Sequence, residues 1–210
     1  MKAGDKFQQP SRRVNELWQT DFTYFKIVVW GWYYLSTVLD DYPRFIVAWR
    51  LCTTMSASDV SYTLNDALAF TELNHVKVQH RPRLLSDNGP YYVSGEPADY
   101  LKENGINHTH GHPYHPQTQG KIERWHRSMK NQILLNHYYL PSELEEQLHR
   151  FVSYYNHHRY HESIDHLTPA DVYYGRGEAI LTLRKRIKLN TIALRRKNHY
   201  VRQRTHNLMS

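Results

Sequence analysis

Three carboxylates have the type and spacing to do phosphate chemistry: Asp21 in LWQTDFTYF, Asp87 in LLSDNGPYY and Glu123 in GKIERWHRSMK, the last two separated by 35 residues. A divalent cation that assists phosphoryl transfer is held by converging hard oxygen ligands, so distant acids must be carried to one point by the fold. Each acid also has a plain explanation. Asp21 stands in a run of aromatic and β-branched residues, where a buried carboxylate needs a metal, a cation or water beside it. An exposed strand Asp is the plain alternative. Asp87 in Ser-Asp-Asn-Gly reads by itself as a turn residue. Glu123 reads by itself as an ordinary helical acid.

The elements that must position them follow from hydrophobic spacing. Leu17 to Val29, Trp32 to Leu39 and Phe45 to Leu51 read as three strands of an antiparallel meander, broken at Gly31 and at Asp40-Asp41-Tyr42-Pro43. Ser58 to Phe70 reads as a helix with a serine N-cap. Arg83 to Leu85 is a short strand, Pro97 to Asn104 a short helix and Ile106 to His110 a last strand, followed by a Gly-, Pro- and His-containing loop over 111–118. Helices are expected from Gln119 to about His137 and again from Pro141 through Tyr155. Strands and helices that alternate after three strands imply an α/β fold, a mixed central sheet flanked by helices.

The helix around Glu123 has two distinct faces. At about 100° per residue, Ile122, Trp125, Met129 and Ile133 fall within about 80° of one another and form a packing stripe. Gln119, Glu123, Arg127 and Lys130 share an adjoining face of similar width. That face is either a surface network at i,i+4 and i,i+7 or a metal ligand flanked by groups that grip phosphates.

Composition bounds the rest. The 210 residues suit one domain with an appendage, and an apolar fraction of 40% with 17 Tyr and 5 Trp excludes wholesale disorder. No run approaches a membrane span, and Met1 to Pro10 lacks the apolar centre of a signal peptide, so a soluble intracellular protein is expected. Cys52 is the single cysteine, which excludes an intramolecular disulfide and a cysteine-rich zinc module. The formal charge of +7 is unevenly placed: nine of the 27 Lys and Arg residues lie in 181–210, which has no acid. Arg184, Lys185, Arg186, Arg195 and Arg196 would bind a phosphate backbone without reading sequence, or else belong to a solvated terminus. Interspersed Leu181, Leu183, Ile187, Leu189, Ile192 and Leu194 suggest that part of this tail folds or docks.

Two histidine groups, His108/His110/His112/His115 and His157/His158/His161, lack the cysteines and spacing of a zinc site, and phosphate contact or solvent exposure is the expected role. Gly120-Lys121 is not a phosphate-binding Gly-rich loop, since no Gly lies five residues earlier and Ile122 stands where Ser or Thr belongs.

In order along residues 12–175, WQTDFTYF, GWYYLSTVLDDYPRFIVAW, SDNGPYY, HPYHPQTQGKIERWHRSMK and YYNHHRYHESIDHLTPADVYY resemble the DDE-type integrase catalytic core of bacterial insertion-sequence transposases and retroviral integrases. The resemblance implies a ribonuclease-H-like fold, with a catalytic core over 13–175 between a polar lead-in (1–12) and a basic extension (176–210). It implies metal-dependent DNA 3′-end cleavage and strand transfer with two Mg2+ or Mn2+ ions, Asp21 bridging both, Asp87 holding one and Glu123 the other. Tyr114 and Gln119 correspond to contacts with base or sugar, and Arg127 and Lys130 to phosphate contacts. Asn88 and Gly89 would shape the turn that aims Asp87. Expected partners are transposon-end and target DNA and further copies of the chain on that DNA, in the cytoplasm with the nucleoid. Family transposases usually carry a helix-turn-helix upstream, whereas about twelve polar residues precede the core here. Recognition is therefore expected from a longer or frameshifted product or a separate helix-turn-helix partner, unless the copy is truncated. The rival readings are a catalytically defective remnant that only binds DNA and a nuclease of the same fold.

Overall fold

A computed structural model of the chain describes residues 11–73, 81–87, 89, 95–110 and 120–209. Three strands come first: β1 (Leu17–Ile27), β2 (Gly31–Asp40) and β3 (Ile46–Cys52). Helix α1 (Ala57–Phe70), β4 (Arg83–Ser86), α2 (Gly95–Glu103) and β5 (His108–His110) follow, then α3 (Gly120–Ile133) and α4 (Pro141–His157). A 3-10 turn (Glu162–Ile164), α5 (Pro169–Tyr173) and the long α6 (Gly177–Met209) close the chain. The expected order of elements is present throughout.

The sheet runs β3-β2-β1-β4-β5, antiparallel on the β1–β2–β3 side and parallel from β1 to β4 and β5. The first hairpin turns where Val29 and Gly31 take positive φ of 73° and 90°, so β1 ends at Ile27 rather than running to Val29. Only glycine adopts such a backbone readily, which makes Gly31 the natural hinge of the turn. Helix α1 starts under a reciprocal cap: Asp59 N–H donates to Ser56 Oγ at 3.2 Å, and Ser56 N–H donates to Asp59 Oδ2 at 2.9 Å.

Apolar side chains bury both faces of the sheet. On one, Trp18, Phe22, Val38 and Ala48 pack against Val60, Leu64 and Leu68 of α1 and Leu101 of α2. On the other, Phe25, Ile27, Leu35, Leu39 and Ile46 meet Ile122, Trp125, Met129 and Ile133 of α3 and Leu144, Leu148, Phe151 and Tyr155 of α4. The expected packing stripe of α3 is therefore the buried one, though the helix stops at Ile133, four residues short of the expected end. The sequence left the basic tail open between a solvated terminus and a partly folded segment; it is one helix of 33 residues. Arg184 ties its first turns to the body by donating to the carbonyls of Asp165 and His166 at 3.2 and 3.1 Å, and every described side chain from Thr182 to Gln203 is exposed. Among the described residues no helix is long and apolar enough to cross a membrane.

Candidate active site

Asp21 and Asp87 are brought together by strand register. β1 and β4 pair in parallel as Leu17↔Arg83, Trp18↔Leu84 and Gln19↔Leu85, so two residues further along Asp21 falls level with Asp87 one strand over. β4 ends at Ser86, and among the described residues β1 has no ladder partner on that side beyond Gln19. Asp21 thus sits where the edge of β1 opens, its side chain 19% exposed, and Asp87 stands just past the end of its strand. Gly89 N–H donates to Asp87 Oδ1 at 3.0 Å, which closes a tight turn at that carboxylate.

Glu123 lies in the first turn of α3 and is exposed. On the same helix His126 meets Asp21, its Nδ1 lying 3.5 Å from Asp21 Oδ2. His126 is 8% exposed, and its Nε2 has no hydrogen-bond partner among the described residues. Lys130, one turn further on, is half-buried; burial holds its ammonium below the ordinary lysine range, while the charge of Asp21 opposes that shift. Arg127 is exposed on the same helix. Asn88, Tyr114, Gln119, His112 and His115 lie outside the described residues. Of the remaining histidines, His108 Nε2 is 2.9 Å from Ser86 Oγ, and His161 packs edge-on to Tyr155 with its Nε2 buried.

A polar latch fixes the start of α3, and sequence reasoning missed it. Gln19 bridges two elements: its Nε2 donates to Asp41 Oδ1 at 2.7 Å, and its Oε1 accepts from Ile122 N–H at 3.1 Å. Lys121 donates to Asp41 Oδ2 at 2.7 Å and to the Asp41 carbonyl at 2.8 Å, while Ser11 Oγ also donates to Asp41. A helix leaves its first N–H groups without internal partners, so Gln19 satisfies one of them and anchors the residue before Glu123. Replacing Gln19 by Leu is expected to cost about 1–3 kcal/mol, the usual penalty for stranding buried polar groups. Denaturant unfolding checks this, and a loss below about 0.5 kcal/mol would show that the latch carries no weight.

Beside the latch, Asp40 is fully buried and accepts from Asn15 N–H at 2.6 Å and Tyr42 N–H at 3.2 Å. Burial, with the neighbouring Asp41 adding to it, pushes its carboxyl up to about 7 against those two bonds. The folded state therefore holds a proton that the unfolded chain releases near the ordinary value of 3.8. Its contribution is complete below about 4 and is lost as pH rises through about 7. Asp40→Asn is expected to flatten this decline, which spans on the order of 4 kcal/mol. Unfolding free energies of both proteins at pH 4.5 and 8 test it, and parallel curves would refute the assignment.

The donor set suits a hard divalent cation, being three carboxylates from separate elements. Among the described residues, however, no three His, Cys, Asp or Glu side chains are gathered closely enough to hold a metal ion. The structure brings Asp21 level with Asp87 and sets His126 of the Glu123 helix against Asp21, while Glu123 itself points to solvent.

Comparison with known proteins adds to this geometry. The integrase core domain family matches residues 11–116, and a second integrase core domain family matches residues 104–169. The chain belongs to the integrase core domain family. This integrase core is 28% identical over 173 residues to the transposase for insertion sequence element IS629 of Shigella sonnei, covering 80% of this chain and 56% of that one. Among solved structures, the simian T-cell lymphotropic virus intasome in complex with the PP2A regulatory subunit B56 gamma matches with a TM-score of 0.65 at 24% identity, over 79% of this chain and 56% of that one. The HTLV-2 integrase catalytic core domain in complex with magnesium, in its trimeric form, matches with a TM-score of 0.59 at 19% identity, over 76% and 96%. The fold of the integrase core is thus the ribonuclease-H-like fold of the retroviral integrase cores. The chain spans only 6% of the retroviral Gag-Pro-Pol polyproteins that it matches.

Proposed function

We propose that this chain is the catalytic core of a DDE-type DNA transposase. It would cleave DNA to free a 3′-hydroxyl and join that hydroxyl to a phosphodiester of a second DNA. The observation that carries the reading is the register that sets Asp21, midway along β1, level with Asp87 just past the end of β4, with Glu123 on the helix latched to β1. Asp21, Asp87 and Glu123 would hold two Mg2+ or Mn2+ ions. When bound, such ions generate the attacking oxygen at neutral pH and stabilise the leaving one.

The chain's own residues do the positioning. Gln19, Asp41 and Lys121 hold the first turn of α3, and with it Glu123, against β1. His126 orients the Asp21 carboxylate. Arg127 and Lys130 would take phosphates flanking the scissile bond, Tyr114 and Gln119 a base or sugar, and Arg184, Lys185, Arg186, Arg195 and Arg196 a more distant backbone. Asn88 with Gly89 would set the aim of Asp87. Further copies of the chain would assemble on the DNA, a separate helix-turn-helix protein would supply end recognition, and the work would be done in the cytoplasm at the nucleoid.

Incubation of the protein with magnesium or manganese and cut DNA ends drawn from the sequence flanking its gene tests the reading. Joined products are expected. Hydrolysis without joining would identify a nuclease of the same fold, and binding without either would identify a remnant.

A further inference from the structure

The β1–β2 hairpin carries large rings that the core does not use. Tyr24, Trp30 and Trp32 are 55%, 57% and 52% exposed. Tyr24 and Trp32 meet edge-on, with centroids 5.4 Å apart and planes at 79°. Each ring is covered on one side by an ammonium: Lys26, cross-strand partner of Trp32, holds its Nζ 5.8 Å from that ring's centroid, and Lys130 reaches from α3 to within 4.3 Å of the Tyr24 centroid. Neither lysine has an ion-pair partner among the described residues.

Cross-strand packing explains why the two rings touch. It does not explain why both remain half open to solvent with two ammonium groups over them that form no salt bridge among the described residues. Rings with open faces beside cations suit a ligand that presents flat, sequence-tolerant π surfaces and negative charge together, which is single-stranded nucleic acid. A duplex keeps the faces of its bases stacked inside and cannot offer them. The position also fits: Tyr24 and Asp21 project to opposite faces of β1, and Lys130, two turns beyond Glu123 on α3, reaches round the open edge of that strand to the Tyr24 ring.

We propose that Tyr24 and Trp32, with Lys26 and Lys130, form a stacking platform for an unpaired nucleobase of the DNA strand at the three acids, the lysines holding its adjoining phosphates. The platform rests on the transposase reading and adds to it a preference for locally unpaired DNA. It would keep a separated strand from re-pairing while the neighbouring phosphodiester lies at the acids.

Fluorescence anisotropy of the full chain tests this, with a labelled single-stranded oligonucleotide and the blunt duplex of the same sequence, in EDTA so that nothing turns over. Tyr24→Ala and Trp32→Ala should each weaken single-strand binding about tenfold or more while leaving duplex binding within about twofold. Tyr24→Phe and Trp32→Phe, which keep a ring, should restore most of it. Lys26→Met should lower the salt slope of single-strand binding by about one unit. Equal losses on both DNAs, or no loss on either, would overturn the platform. If the wild type joins DNA ends while the alanine variants hold single strands as tightly as it does, the platform fails and the transposase reading stands. If the variants lose single-strand binding selectively but the wild type joins no ends, the transposase reading fails and the platform stands.

Discussion

Asp21→Asn is expected to abolish metal-dependent cleavage and joining, by about a thousandfold or more, while DNA binding in EDTA stays near the wild-type level. The substitution keeps the shape of the side chain and removes the charge that the proposed site needs from this ligand. Metal-assisted stabilisation of a phosphoryl transfer is worth several kcal/mol, and about 4 kcal/mol already corresponds to a thousandfold. The fold should tolerate the change. Asp21 is partly exposed at the open edge of β1, its contact with His126 is 3.5 Å long, and an Asn oxygen can still face that imidazole. Joined product quantified over a magnesium or manganese titration, beside a thermal melt, separates lost chemistry from lost structure. Activity within about tenfold of wild type would remove Asp21 from the catalytic set.

Trp125→Ala should have the largest effect on stability. The indole is 1% exposed, lies 4.6 Å centroid-to-centroid from Tyr155 and 5.4 Å from Phe151, and joins α3 to α4 beneath the sheet. Truncating a buried aromatic of this kind costs about 3–5 kcal/mol, a large share of the roughly 5–15 kcal/mol by which a domain is held folded. A fall in Tm on the order of 10 °C is expected. Trp125→Phe should lose much less, because it keeps an aromatic ring and removes the buried indole N–H, which has no hydrogen-bond partner among the described residues. Denaturant unfolding of both variants decides the matter: equal losses would mean that a phenyl ring recovers none of the stability and that only the full indole fills the site.

Much of this arrangement was legible in the sequence for local reasons. The stripe Ile122, Trp125, Met129 and Ile133 repeats at helical spacing, and all four are buried. The meander announced itself through β-branched and aromatic runs broken at Gly31 and at Asp40 to Pro43. The long-range polar contacts were not legible. Gln19 meets Ile122 across 103 residues and Lys121 meets Asp41 across 80, and such pairs leave no periodic trace in the chain. Lys121, which does not belong to a phosphate-binding loop, instead holds the start of α3 against Asp41. His126 could have been found: at about 40° round the helix from Ile122 it lies between the packing stripe and the Glu123 face. The tail was ambiguous because its apolar residues do not form one clean stripe, which left a solvated terminus and a partly folded segment both open.

That helix has a consequence for reach. At 1.5 Å per residue its 33 residues extend about 50 Å, the length of roughly fifteen base pairs of B-form DNA. Under the proposed function, the cations along it could hold a turn of duplex well removed from the one being cut. The chain would then grip by length what it does not read by sequence, and the distance between grip and cut would be set by a rigid rod, not by a tether.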